Sequence, residues 1–213
     1  MYRNPDGNAP TVHYCKTLIK AEEQLKHFLG QPVLGFDIEW EPMVKKTAPA
    51  KQNVSLIQLA IEDRIILIHV ALFAGNGPQQ LMPTSLRMIL ESDSVMKVGV
   101  NIQGDARRIH EYLGVQMRAQ FELSHLYKVV TFTDRKAINK TLKGASLQAQ
   151  VKNILLLPLK KDDVRVSSWS RALSKEQSDY SASDAYAGFR LFHALEAKRK
   201  AMEPTPPRPA FYE

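Results

Sequence analysis

Val33-Leu34-Gly35-Phe36-Asp37-Ile38-Glu39-Trp40 is the stretch whose reading decides the rest of the chain. Its length and apolar residues predict a buried β-strand, yet two carboxylates interrupt it. Residues two apart on a strand project from one face, so Asp37 and Glu39 point together and Phe36, Ile38 and Trp40 point the other way. Burying a carboxylate is costly unless something compensates it, and two side by side raise each other's pKa. A divalent cation removes that penalty. The strand therefore reads as half of a metal site, and the other half should lie elsewhere in the chain.

Outward from this strand the signals alternate in type. Strands are predicted at 33–40, 54–61, 64–70 and 95–100, the second and third joined as a hairpin across Glu62-Asp63. Helices are predicted at 21–29, closed by Gly30 and Pro32, at 84–91 with Thr84 or Ser85 as cap, at 104–112, at 146–155 and at 174–198. Ser174 is placed to cap the last of these, with Glu176 and Gln177 in its first turn. Residues 121–130 fit either type. Mixed strands and helices in this order predict an α/β domain with a partly antiparallel sheet. The domain is expected over residues 12–200, after a disordered lead-in at 1–11. Residues 201–213 contain Glu203-Pro204-Thr205-Pro206-Pro207-Arg208-Pro209, which reads as an extended tail or linker.

Composition bounds the function classes. The 213 residues include 29 Lys plus Arg against 22 Asp plus Glu, a net charge of +7 that suits a polyanionic partner. If several carboxylates hold metal, the remaining surface is more basic still. The single cysteine, Cys15, excludes an intrachain disulfide and suits a reducing compartment. No apolar run approaches the roughly 18 residues of a membrane span, and the start lacks a secretory apolar stretch. Six histidines show no HxxxH or HxH spacing, which argues against zinc.

Three more side chains complete the candidate site. Asp105 opens a helix five residues past the fourth predicted strand, where sheets of this type collect ligands. Tyr180 and Asp184, four apart, share one face of the last helix, and Ala182, Ala185, Ala187 and Gly188 beside them let that helix press close to the sheet. Four carboxylates from three elements form an all-oxygen donor set, which suits Mg²⁺ or Mn²⁺.

Phe36-Asp37-Ile38-Glu39-Trp40, the run from Asn101 to Asp105, and Tyr180-xxx-Asp184 together resemble the three motifs of the DEDD 3′–5′ exonucleases. The tyrosine marks the DEDDy branch, and the chain resembles the exonuclease domain of the Werner syndrome protein and its fungal and plant relatives. Ser55-Leu56-Ile57-Gln58-Leu59, Ser168-Trp169-Ser170 and Glu176-Gln177-xx-Tyr180 agree as well. The resemblance implies an RNase H-like fold with a mixed five-stranded sheet flanked by helices. It also implies two divalent cations, hydrolysis of phosphodiester bonds from DNA or RNA 3′ ends, release of nucleoside 5′-monophosphates, and DNA as the favoured strand. By the same carry-over Asp37 bridges both cations, Glu39 and Asp184 complete the site near the nucleophile, Asp105 serves the second cation, and Tyr180 orients the attacking water. Nuclear residence, a helicase or repair partner, and a monomeric state belong to the same set of expectations.

Nucleic-acid contacts are expected from Trp40 by stacking, from Leu56, Ile57 or Gln58 as a wedge against the last base, and from Lys160, Lys161 and Arg165 on phosphates. The polar, basic segment 131–144 matches no element of the family and is expected to touch substrate. RNA trimming of the RNase D type uses the same five residues, and a binding module that does not cut is the alternative from another class. No GxxxxGK[ST] loop occurs, so no helicase motor lies within the chain.

Overall fold

A computed structural model describes residues 3, 7–132, 145–159 and 163–211. Its strands are β1 (Thr11–Cys15), β2 (Val33–Glu39), β3 (Leu56–Ala60), β4 (Arg64–Ile68), β5 (Met96–Gly99) and β6 (Gln120–Glu122). They form one sheet in the order β1-β4-β3-β2-β5-β6. The β2–β3–β4 meander is antiparallel, while β1 runs parallel to β4, β5 to β2 and β6 to β5. The mixed sheet flanked by helices is the RNase H-like arrangement, with six strands where five were expected. β1 is an edge strand of mixed polarity and β6 has three residues, so neither carries a strong strand pattern.

Alternation along the strands sorts two cores. Leu34, Phe36, Ile38, Ile57, Leu59 and Ile66 face α1 (Leu18–Leu25), α4 (Thr84–Glu91) and α5 (Ile102–Leu113). Short helices α2 (Ala50–Asn53) and α3 (Pro78–Leu81) close that side. The opposite face, with Leu56, Leu67, Val98 and Phe121, meets α6 (Leu123–Thr131), α7 (Leu147–Leu155) and α8 (Lys175–Lys200). Fully buried Lys97 on β5 donates to the Ile89 and Ser92 carbonyls at the end of α4, giving that helix its C-terminal cap.

Helix α8 lies across the middle of the sheet, and its start follows the sequence signal. Ser174 accepts from the Gln177 N–H while the Gln177 side chain accepts from the Ser174 N–H, a reciprocal cap. The expected cap of α4 differs. Pro83 takes the N-cap position without a side-chain bond, and the Glu22 carboxylate of α1 accepts the Ser85 N–H instead.

Over its described part, segment 201–213, expected as an extended tail or linker, lies against the domain. Arg208 pairs with buried Glu196 at 2.6 Å, Arg199 donates to the Pro206 carbonyl, and the Phe211 ring meets Phe121 edge-on at 5.9 Å. The prolines keep the segment extended, but these side chains dock it against α8 and β6.

Candidate active site

One strand and two helices bring the five predicted residues to one cleft of about 530 Å³. β2 delivers Asp37 and Glu39 from the face turned toward α8, since Leu34, Phe36 and Ile38 occupy the other. α8 delivers Tyr180 and Asp184 from one face. Carboxylate oxygens of Asp37, Glu39 and Asp184 lie within 4.8 Å of one another. Asp105, in the first turn of α5, lines the same cleft but stands outside that trio.

Local backbone explains how Asp105 reaches the cleft. The chain leaves β5 through Asn101 at φ 62°, in the left-handed region, and turns at once into α5. The Glu122 carboxylate accepts the Asn101 N–H at 2.7 Å and the Ile102 N–H at 3.3 Å, and also the Ser124 N–H at 3.0 Å. One buried acid thus caps α5 and α6 together. The sequence reading missed Glu122, although a lone acid between Phe121 and Leu123, just before a helix, is the signal that finds it.

The cluster is electrostatically costly when empty of cations. Burial, then the charges of Glu39, Asp105 and Asp184, hold the Asp37 carboxyl well above the usual carboxylate range, even though its Oδ1 accepts the Ile38 N–H at 3.0 Å. Burial and then Asp184 and Asp105 do the same to Glu39, with the Arg165 guanidinium opposing them. Burial followed by Glu122 pushes Asp105 up to about 8, and burial puts Asp184 at about 6 although Tyr180 donates to it. Tyr180 moves upward too, by burial first and then by the charges of Asp184, Glu39 and Asp37, so its phenol keeps its proton. Buried, converging, mutually repelling carboxylates are the donor set a hard divalent cation satisfies. The residues present fit such an ion.

Around this centre the structure places the other predicted contacts unevenly. Trp40, the residue after β2 ends at Glu39, is 37% exposed and lines the cleft. Trp169, by contrast, is core. Arg165 lines the cleft, whereas Lys160, Lys161 and segment 133–144 lie outside the described residues. Leu56, Ile57 and Gln58 pair across from Glu39, Ile38 and Asp37 but are fully buried, and they do not line the cleft. A wedge against a base needs exposure that the strand interior denies them. Both amide atoms of Gln58 lack a hydrogen-bond partner.

Other wall residues carried no sequence signal. Met43, wholly exposed at φ 54°, lines the cleft, as do Ser146, Leu147 and Gln148 at the start of α7. The Arg108 guanidinium covers the Trp40 ring at 4.2 Å and reaches the Tyr112 ring at 5.6 Å. Glu41 is fastened to the segment before α8: burial alone would raise its pKa, but bonds from Ser168, Ser170 and Trp169 bring it below the usual value.

Comparison with known proteins places this geometry. Residues 12–200 match the family model described as 3′-5′ exonuclease. Over 170 residues the chain is 34% identical to the bifunctional 3′-5′ exonuclease/ATP-dependent helicase WRN of Mus musculus, covering 76% of this chain and 11% of that protein. The chain thus spans about a tenth of that relative. Among solved structures, the Nibbler EXO domain of Aedes aegypti superposes with TM-score 0.72 at 21% identity, over 94% of this chain and 92% of that one. RNase D of Escherichia coli, an exoribonuclease, superposes with TM-score 0.70 at 17% identity, over 90% and 46%.

Proposed function

Since the chain belongs to the 3′-5′ exonuclease family, we propose that it removes nucleotides one at a time from the 3′ end of a nucleic acid by cation-dependent hydrolysis, releasing nucleoside 5′-monophosphates. The observation that carries this reading is the meeting of Asp37, Glu39 and Asp184 oxygens within 4.8 Å, in a cleft that Asp105 and Tyr180 also line. Two divalent cations, Mg²⁺ or Mn²⁺, held by these four carboxylates would neutralise charge at the scissile phosphate and acidify the attacking water.

The chain's own groups do the rest. Asp37 and Glu39 are held by their pairing with Gln58 and Leu56 on β3, and β5 anchors the same strand just upstream at Val33–Gly35. Asp184 sits on the helix packed over them and is aimed by the Tyr180 hydroxyl that donates to it. Tyr180 cannot act as a base at neutral pH, since its proton is held more tightly than in a free phenol. Its oxygen still has lone pairs, and in this role it accepts a hydrogen bond from the attacking water and orients it. Trp40 and Met43 give the 3′-terminal base an apolar wall, and Arg165 supplies a cation at the rim.

DNA is the proposed strand, on the strength of the Werner-type motifs and the 34% identity to the WRN exonuclease–helicase. The fold shared with RNase D supports RNA as the second reading. A time course on 5′-labelled DNA and RNA, single-stranded and recessed, with Mg²⁺, Mn²⁺ or EDTA, separates them. The expected result is a ladder shortening from the 3′ end, lost in EDTA and in Asp37→Ala, and faster on DNA. Tight binding without shortening on any strand would overturn the hydrolase reading in favour of a binding module.

A further inference from the structure

The segment from Asp163 to Ser174 leads from the cleft into α8, and Glu41, His69, Tyr14 and Gln177 hold it. Glu41 Oε1 accepts the Ser168 hydroxyl at 2.7 Å and the Ser170 N–H at 2.6 Å. Fully buried His69 stands with Nε2 2.8 Å from the Trp169 carbonyl and Nδ1 2.6 Å from the Tyr14 hydroxyl. Tyr14 in turn accepts the Leu173 N–H at 3.1 Å. One arrangement satisfies every partner: Nε2–H donates to the carbonyl, and Nδ1 accepts from Tyr14. Gln177 donates to the Ser167 hydroxyl at 2.8 Å and to the Ser168 carbonyl at 2.9 Å.

This strap carries two groups that matter in the cleft. Arg165, whose backbone carbonyl accepts the Trp169 indole N–H at 3.3 Å, presents its charge to Glu39. The Trp169 ring backs the Tyr180 ring at 6.2 Å between centroids. His69, Tyr14 and Gln177 fix the buried end. Glu41 ties the strap to the end of β2, two residues beyond the Glu39 carboxylate. Ser55, whose N–H donates to the Glu39 carbonyl, adds a long contact from its hydroxyl to the Ser170 hydroxyl at 3.5 Å. The two short bonds of Glu41 are the strongest of these ties between the two walls of the cleft.

We propose that Glu41 is a positioning residue for the exonuclease reaction, locking the strap so that Arg165 stays opposite Glu39 and Trp169 stays behind Tyr180. The proposal rests on the exonuclease reading for its effect on rate, but the anchoring can be read without it. Glu41 touches no reacting atom in this role; it acts through the strap. A misplacement on the order of 1 Å in such a support costs up to about 100-fold in rate, because catalytic groups work only near their aligned geometry.

The test compares Glu41→Ala, Glu41→Gln and Ser168→Ala with wild type, measuring kcat and KM on a 5′-labelled strand with Mn²⁺. Glu41→Ala is expected to lose about 10-fold in kcat with KM moved less than about threefold. Glu41→Gln keeps an oxygen that accepts both donors and should recover most of that loss. Ser168→Ala, which removes one donor, should fall between them. A folded Glu41→Ala protein with kcat within twofold of wild type would overturn the proposal, as would an equal loss in the alanine and glutamine variants.

A second readout needs no activity. The chain has two tryptophans, so in a Trp40→Phe background the emission reports Trp169 alone. Glu41→Ala should shift that emission to longer wavelength and open it to acrylamide, while Glu41→Gln should not. Unchanged emission overturns the anchoring. Wild-type protein that shortens no strand would overturn the exonuclease reading instead, and leave this fluorescence result to decide the strap by itself.

Discussion

Gly35 lies so close beneath α8 that a Cβ built on it would stand 2.0 Å from the Ala185 carbonyl oxygen. Asp37 is two residues further along β2, and Asp184 is the residue before Ala185. The same backbone contact therefore sets how near the two carboxylates come. Gly35→Ala has to push helix from strand, and overpacking of this kind costs about 1–3 kcal/mol. We expect a lower urea midpoint together with at least a 10-fold loss of cleavage. Gly188 offers the contrast, since a Cβ there meets the Val98 carbonyl oxygen at 3.6 Å and Leu123 Cδ1 at 3.8 Å, both ordinary contacts. Gly188→Ala should leave stability unchanged or raise it by up to about 1 kcal/mol, because glycine is a poor mid-helix residue. Equal midpoints for Gly35→Ala and wild type would refute the first expectation.

The carboxylate cluster should make the cation-free protein less stable as pH rises. Asp105 at about 8 and Asp184 at about 6, with Asp37 and Glu39 also raised, bind protons more tightly folded than unfolded. The stability they contribute is present below roughly pH 4, the unfolded carboxylate value, and is lost as pH climbs through 6 to 8. His69, with His13, His193 and buried Lys97, whose pKa falls to about 7, acts in the other direction. Burial lowers the pKa of each, so the histidine contribution is present above about 6.5 and lost in acid. Four coupled acids, all raised, outweigh these groups, and the Tm of EDTA-treated protein should fall between pH 5 and pH 8. Mn²⁺ should raise Tm more at pH 8 than at pH 5, where it must displace protons. Asp37→Asn removes one of the repelling charges, so in EDTA at pH 8 it should melt above wild type while losing both cleavage and most of the Mn²⁺ response. A lower melting temperature for that variant in EDTA would show that repulsion is not what governs this site.

Tyr180→Phe should be the mildest of the five site variants. It deletes no cation ligand and removes only the hydrogen bond to Asp184 and the oxygen facing the attacking water. A loss of about 10- to 100-fold in kcat is expected, on the order of one or two hydrogen bonds. Since the Tyr180 bond lowers the Asp184 pKa, its removal should also move the acid limb of the pH–rate profile to higher pH. A loss as deep as that of Asp37→Ala, with an unmoved acid limb, would contradict this role.

Periodicity made the acidic strand and the last helix legible, because burial of Phe36 and Ile38 on one side forces Asp37 and Glu39 to the other. The same rule does not reach Trp40, because alternation holds only while the strand continues, and β2 ends at Glu39. It placed Leu56, Ile57 and Gln58 beside the carboxylates, which the register bears out, but periodicity cannot tell a strand position beneath a helix from one open to the cleft. β1 and β6 escaped notice because their pairing partners are distant in sequence and their own patterns are short. Glu41, Glu122 and His69 act by holding backbone groups elsewhere in the chain, and such roles exist only once the chain is folded. The docked tail is of that kind too, since it takes Glu196 on α8 to hold Arg208.

Trp40 and Arg108 supply the last prediction. Arg108 lies 4.2 Å over the indole, and the Tyr112 hydroxyl donates to the Lys46 carbonyl at 3.2 Å, so α5 braces the loop that follows the acidic strand. An aromatic ring braced in this way loses little freedom when a base stacks on it. Base–aromatic stacking is worth about 1–3 kcal/mol by alanine substitution, so Trp40→Ala should raise KM roughly 5- to 100-fold. Its effect on kcat should be smaller, because the carboxylates stay where β2 and α8 put them. Arg108→Ala should act in the same direction and more weakly, through loss of the brace. Trp40→Phe, which keeps a ring, should recover most of the binding. The check is a set of KM and kcat values on one labelled strand, with thermal melts to confirm folding; a Trp40→Ala protein with wild-type KM would exclude the ring as a base platform.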